Sequence, residues 1–169
     1  MLIVTTSIII EQNHHLMQLQ IKRIDTNLPL PKFHTPGSVA FDLYSRVETL
    51  ITPRSLQLIP SNIIVDIPEG HMLMLAARSS TARKFGLMLA NGIGTIDQDF
   101  NGEDNEIMIS VWNFTDSDVH IKRGDRIAQA ILVKIAHPDI IEVHHMNSHN
   151  RGSFGSTGNS VHSLKVTQL

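Results

Sequence analysis

The chain contains no cysteine. That absence excludes disulfides, thiolate zinc sites and cysteine nucleophiles together, and it fits a reducing cytoplasm. A large excess of charge of one sign is also missing. The formal net charge is -2, so no global basic field exists to wrap a nucleic-acid duplex. A small anionic ligand stays open, because a local arginine cluster acts without net positive charge. Long apolar runs are absent as well. The stretch Met1-Leu-Ile-Val-Thr-Thr-Ser-Ile-Ile-Ile10 is apolar but short, has no basic leader and is followed by Glu11. It is too short to span a bilayer and makes a poor secretory signal; it reads as an extra strand or a tail, and no membrane association is expected. No internal repeat is visible.

What is present is enough for one domain. The chain has 169 residues, 41% of them hydrophobic, which supports a real core. The periodicity is that of strands. Met17 to Ile24 alternates apolar and polar residues. Ser55 to Ile67 is β-branched and broken by Pro60, and Gly70 to Ala77, Ile107 to Trp112 and Val119 to Ile135 are further strand candidates. Turn chemistry separates them at Pro36-Gly37, Pro68-Glu-Gly70, Asp116-Ser-Asp118 and Arg123-Gly-Asp125. Only Ser80 to Phe85, ended by Gly86, reads as a helix. The pattern predicts an all-β barrel or sandwich with one short helix.

Five segments carry chemistry. Asn91-Gly-Ile-Gly-Thr-Ile-Asp-Gln-Asp-Phe-Asn-Gly102 predicts a tight hairpin with Asp97 at its shoulder, and a carboxylate held rigidly can orient and deprotonate water. Gly37-Ser-Val-Ala-Phe-Asp-Leu-Tyr44 places Asp42 among apolar residues. Ala77-Arg-Ser-Ser80 opens the helix with a guanidinium and two hydroxyls, a good phosphate site. Gly124-Asp-Arg-Ile-Ala-Gln129 leaves Gln129 as an amide donor. Arg151-Gly-Ser-Phe-Gly-Ser-Thr-Gly158 offers a fork for phosphate at Arg151, hydroxyls at Ser156 and Thr157, glycines such as Gly155 that permit close approach, and a lone ring at Phe154. It reads as a lid over a flat ligand; the competing reading is an unstructured tail. It lacks the lysine of a Walker A loop. Each segment alone reads more readily as a structural turn or cap; their joint order is what carries information.

That order resembles the homotrimeric dUTP pyrophosphatases, or dUTPases, from about Met17 to Gly158. The resemblance implies a distorted β-barrel of the jelly-roll kind, assembled as a homotrimer, with residues 1–16 as an extension, 17–145 as the barrel domain and 146–169 as a flexible tail. It implies hydrolysis of dUTP to dUMP and pyrophosphate in the cytoplasm, which keeps uracil out of DNA and supplies dUMP for thymidylate synthesis. Asp97 corresponds to the general base. Asn91, Thr95 and Ile96 correspond to the residues that read uracil, with Met108 near the same pocket and Phe100 packing on the sugar. Arg78, Ser79, Ser80 and Gln129 would hold the phosphates. Arg151, Phe154, Gly155, Ser156 and Thr157 would close over the nucleotide. Mg2+ would be held mainly by the triphosphate, with Asp42 touching it through water. Each site would be shared: one subunit gives the uracil segment, a second the phosphate segments and a third the tail.

The chain departs from the family pattern in four places. Phe100 stands where tyrosine is usual, and Val39-Ala40 where Ala-Gly is common. Glu103 to Asn105 looks like an insertion, and the tail motif is about two residues short between Arg151 and Phe154. Three rival readings exist. The ten histidines invite a metal site, yet no His-Glu-x-x-His pattern occurs and surface histidines fit better. A dCTP deaminase would need an acid–base group that the Asn91–Gly102 segment lacks before Glu103. A dUTPase-like protein acting mainly as a nucleotide-switched regulatory partner would use residues 1–16 or the residues after Ser160.

Overall fold

Alternation becomes a strand wherever it was long enough to read. The structure, a computed structural model, describes residues 17–150 and 152. In chain order the elements are β1 (Gln20–Arg23), β2 (Phe41–Tyr44), β3 (Thr49–Ile51), β4 (Leu56–Pro60), β5 (Ile63–Asp66), β6 (His71–Ala77), α1 (Thr81–Phe85), β7 (Leu87–Leu89), β8 (Gly94–Ile96), β9 (Met108–Asn113), β10 (Val119–Ile121) and β11 (Arg126–Lys134). The long Ser55–Ile67 run divides at Ser61-Asn62. Asn62 sits at φ 72°, a left-handed position that asparagine tolerates better than a β-branched residue. Its side chain grips Asp25 from both ends: Oδ1 accepts the Asp25 N–H at 2.7 Å and Nδ2 donates to the Asp25 carbonyl at 3.0 Å. The Val119–Ile135 run divides at the Gly124 turn, where φ is 87°.

All pairing is antiparallel. One sheet has the order β2-β11-β6-β8, a second β4-β9-β7, and two further pairs are β1-β5 and β3-β10. Inward residues from these sheets make one core, with Leu43, Ile59, Leu73, Leu87, Ile109 and Ile127 fully buried. Each contributes roughly 1.5–3 kcal/mol by leaving water. The core is almost wholly aliphatic, as the sequence requires.

The Asn91 segment differs from the expected hairpin. β7 pairs with β9, whereas β8 pairs with β6 in the other sheet. The turn between them therefore switches sheets. Gly92 at φ 71° makes the bend, with the Gly92 N–H donating to the Leu89 carbonyl at 3.1 Å. A hairpin and a sheet switch use the same glycine-rich turn chemistry, and only the non-local pairing separates them.

Gly86 ends α1 in the left-handed region at φ 68°. A Cβ there would strike the Thr115 methyl. Thr115 cannot move aside easily, because its Oγ1 and N–H both donate to Asn113 Oδ1, at 2.7 and 2.9 Å. Asn113 is itself buried and donates to the carbonyls of Ile51, Thr52 and Ser117. Gly86→Ala should therefore destabilise the fold by roughly 2–4 kcal/mol, from left-handed strain plus overpacking. Urea denaturation measures this; a change under about 0.5 kcal/mol would contradict it.

The chain divides into two units, Met1–His137 and Pro138–Leu169. The described part of the second has no helix or strand and exposes Ile140, Ile141 and Val143. No helix among the described residues is long and apolar enough to cross a membrane.

Candidate active site

Three places in the first unit gather the residues singled out in the sequence. The first is a charged corner around Asp42. β2 carries Asp42, which is only 6% exposed. A buried carboxylate needs partners, and it has three. Arg78 Nε lies 2.6 Å from Oδ1, Arg126 Nη1 3.0 Å from Oδ2, and His34 Nε2 3.2 Å from Oδ2. Arg78 follows the last residue of β6, and Arg126 opens β11. Their neighbouring strands thus bring two guanidinium groups onto one acid. Arg78 also donates from Nη1 to the Arg126 carbonyl at 3.1 Å.

Gln129 faces the same sheet position, in register with Asp42 on one side and Ala76 on the other. Its Nε2 donates to the Ala77 carbonyl at 3.0 Å, which leaves a second N–H for a ligand. Ser79 and Ser80 follow Arg78, and Ser80 precedes α1 without making a side-chain cap. Thr81 ties the helix start to β11 by donating to the Ile127 carbonyl at 2.9 Å. The corner is thus a set of donors arranged on three strands and one helix start. Arg126 and His34 were missed in the sequence. Arg126 lay inside the Gly124–Gln129 segment, but its reach to Asp42 depends on strand register.

The second place is a cavity of about 130 Å³ lined by Leu75, Leu89, Asn91, Gly94, Thr95, Ile96, Met108, Ile109 and Ser110. It brings together Asn91, Thr95, Ile96 and Met108, four residues singled out for base reading. Apolar walls with a few amides and hydroxyls suit a flat, partly polar ring. Gly94 is closed against its neighbours: a Cβ there would lie 3.0 Å from Leu75 Cβ and 3.6 Å from Asn91 Nδ2. Gly94→Ala should raise KM for the ligand at least about tenfold, the size of one lost methyl-scale fit, with far-ultraviolet circular dichroism unchanged. Unaltered KM would mean the cavity is not the base site.

The third place surrounds Asp97. This residue directly follows β8 and is exposed, as is Thr95 two positions before it, while Ile96 turns toward the core. The alternation is that of a strand. Asp97 lines a cleft of about 620 Å³ with Glu69, His71, Asp99 and His137 among others. Gln98 anchors it by donating to the His71 carbonyl at 2.9 Å. The Phe100 N–H donates to the Asp97 carbonyl at 3.3 Å. Phe100 is exposed and does not line the cavity around Asn91. Glu103, in the apparent insertion, pairs with Lys22 of β1, so its charge is neutralised there.

Arg151, Phe154, Gly155, Ser156 and Thr157 lie outside the described residues. No group of three or more His, Cys, Asp or Glu side chains placed to hold a metal occurs among the described residues. The perturbed ionisations lie away from the three places. The hydrogen bond from Arg123 holds Asp25 below the usual carboxylate range, Arg54 does the same for Asp116, and Glu106 raises Arg46.

Comparison with known proteins gives the family. A family model described as dUTPase matches residues 26–160. The deoxyuridine 5'-triphosphate nucleotidohydrolase of Helicobacter pylori is 36% identical over 84% of this chain and 97% of its own length. That of Finegoldia magna is 40% identical over 83% of this chain and 99% of its own. Among solved structures, the dUTPase of Streptococcus mutans superposes with a TM-score of 0.65 at 31% identity, covering 70% of this chain and 98% of that one. The dUTPase of Staphylococcus bacteriophage 80alpha with dUPNHPP reaches 0.75 at 24% identity, over 84% of this chain and 99% of that one, a likeness of fold. On the match across residues 26–160 and these relatives, the chain belongs to the dUTPase family.

Proposed function

We propose that this chain hydrolyses dUTP to dUMP and pyrophosphate, in sites shared between copies of itself. The observation that carries the shared site is the register of β6. Ile96 pairs with Leu73 near the start of β6, so Asp97 lies beside Met72. Arg78 lies past the other end, after Ala77. β6 has seven residues, which at about 3.3 Å each separates the two groups by about 20 Å along the strand. A base that activates water and an arginine that holds the attacked phosphate chain must meet at one triphosphate. That separation favours a site in which Asp97 of one copy meets Arg78 of another. A homotrimer with threefold symmetry, the third copy giving Arg151 and Phe154, completes the reading.

In this reading uracil enters the cavity of Asn91, Thr95, Ile96 and Met108. A cavity fitted to uracil has no room for a thymine methyl, and it leaves polar groups unpaired with cytosine. Phe100 packs on the sugar and disfavours a ribose 2′-hydroxyl. Asp97 takes a proton from a water placed in line with the α-phosphorus. A bond forms from that water oxygen to phosphorus, the bond to the bridging oxygen breaks, and pyrophosphate leaves. Arg78, Ser79, Ser80, Gln129 and Arg151 hold the phosphates, and Phe154 with Gly155, Ser156 and Thr157 closes the site.

The described residues fit Mg2+ carried by the substrate rather than by the protein. Asp42 is a single carboxylate with cationic partners, and its oxygens keep lone pairs for a metal-bound water. Bound on the triphosphate, the ion supplies charge neutralisation and positioning. The test is pyrophosphate release with dUTP, dCTP, dTTP and UTP, each with and without Mg2+. Rapid release from dUTP alone supports the reading, and equal release from dCTP would sink it.

A further inference from the structure

Residues 1–16 lie outside the described residues. The apparent insertion Glu103 to Asn105 lies among them, just past a turn that carries two residues singled out for the reaction. The Phe100 N–H donates to the Asp97 carbonyl at 3.3 Å, so Asp97 and Phe100 are the two ends of one turn. That turn is held from both flanks. On one, Gln98 Nε2 donates to the His71 carbonyl of β6 at 2.9 Å. On the other, Asn101 Nδ2 donates to Asp66 Oδ1 of β5 at 2.8 Å.

Beyond Asn101 the chain returns along β5. Glu106 accepts the Asn62 N–H at 2.8 Å and takes Arg46 Nε and Nη2 at 2.9 and 2.8 Å. The Ile107 N–H donates to the Ile63 carbonyl at 3.0 Å. These bonds fix the far end of the segment, and the Asn101–Asp66 bond fixes the end next to Phe100. Added residues lengthen the span between the two ends, which makes it harder to keep in one place. The inserted residues offset this themselves. Glu103 pairs with Lys22 of β1. Asn105 closes on Gly102: the Gly102 N–H donates to Asn105 Oδ1 at 2.8 Å, and the Asn105 N–H donates to the Gly102 carbonyl at 3.0 Å.

Phe100 is exposed and has no phenol oxygen, so no hydrogen bond of its own holds the ring. Its place is set by the backbone on either side. We propose that Asn101 is the positioning residue for Phe100: its bond to Asp66 holds the ring where it excludes a ribose 2′-hydroxyl. This rests on the reading that Phe100 packs on the sugar. A wall discriminates by contact, so slack of about 1 Å in the ring admits the extra oxygen.

Asn101→Asp sets a second carboxylate against Asp66 and breaks the bond, since neither group donates at neutral pH. The ratio of kcat/KM for dUTP to that for UTP should then fall at least about tenfold. A general loss of structure would lower both nucleotides together and leave the ratio in place. Asn101→Asp with Asp66→Asn exchanges acid and amide, restores one donor to one acceptor, and should return the ratio to within about twofold of the parent. Amide exchange at Phe100 and Asn101 gives a readout free of turnover, faster in the single variant and slowed again in the exchanged pair. An unchanged ratio in Asn101→Asp, or an exchanged pair no better than the single variant, would overturn the proposal. Phe100→Ala measured in parallel separates it from the reading beneath it. A ratio lowered by Phe100→Ala but not by Asn101→Asp removes the clip alone. A ratio unmoved by Phe100→Ala takes the ring off the sugar, and the proposal falls with it.

Discussion

Asp97→Asn is expected to lower kcat for dUTP by about a hundredfold or more, with dUTP binding near that of the parent chain. The amide keeps the size and one acceptor oxygen of the carboxylate but cannot take a proton at neutral pH. Its position argues that little else changes. Asp97 is exposed and lines an open cleft, and its neighbours Ile96 and Gln98 hold the backbone through the core and the His71 carbonyl. A loss of proton transfer therefore appears in kcat and not in assembly. Single-turnover kinetics with equilibrium binding separates the two. Near-parent turnover would remove Asp97 as the base.

The second large effect comes from mixing. Arg78→Ala should also be nearly inactive, since it removes a guanidinium from the corner at Asp42 that is proposed to hold the phosphates. If one copy supplies Asp97 and another Arg78, refolding the two inactive variants together should restore activity. With random assembly, roughly a quarter of sites would pair an intact Asp97 with an intact Arg78, as expected for a heterologous threefold interface. A base and an arginine acting within one copy could never be restored this way. Recovery of no activity from properly assembled mixtures would end the shared-site reading. Arg78→Lys is the informative companion: it keeps charge but loses the planar fork that meets Asp42.

Much of this was legible in the chain. Met17–Ile24, Gly70–Ala77 and Ile107–Trp112 each contain a strand because alternation over several residues leaves little choice of structure. The helix was readable from Gly86, whose left-handed φ stops it. Of the four three-residue strands, β10 fell inside the Val119–Ile135 run, while β3, β7 and β8 were not readable, because three residues standing alone cannot display a period and their pairing is set by partners far away. The same limit explains the misread hairpin at Asn91. The cavity of Asn91, Thr95, Ile96 and Met108 was legible as a group of residues because most of its polar members lie within one segment. The corner at Asp42 was only half legible. Arg78 and Gln129 stood out in their segments, but His34 reaches Asp42 through a loop path that no spacing rule encodes.

The sheet switch at Asn91–Ile93 also places the cavity proposed to take uracil in a seam. Leu75, Gly94, Thr95 and Ile96 come from the four-stranded sheet, and Leu89, Met108, Ile109 and Ser110 from the three-stranded one. A nucleobase lodged there would touch both layers and act as a rivet between them. The free energy of holding it is then added to the work of prising the layers apart. Occupancy of this one small space would slow amide exchange on strands that never meet in the hydrogen-bond ladder.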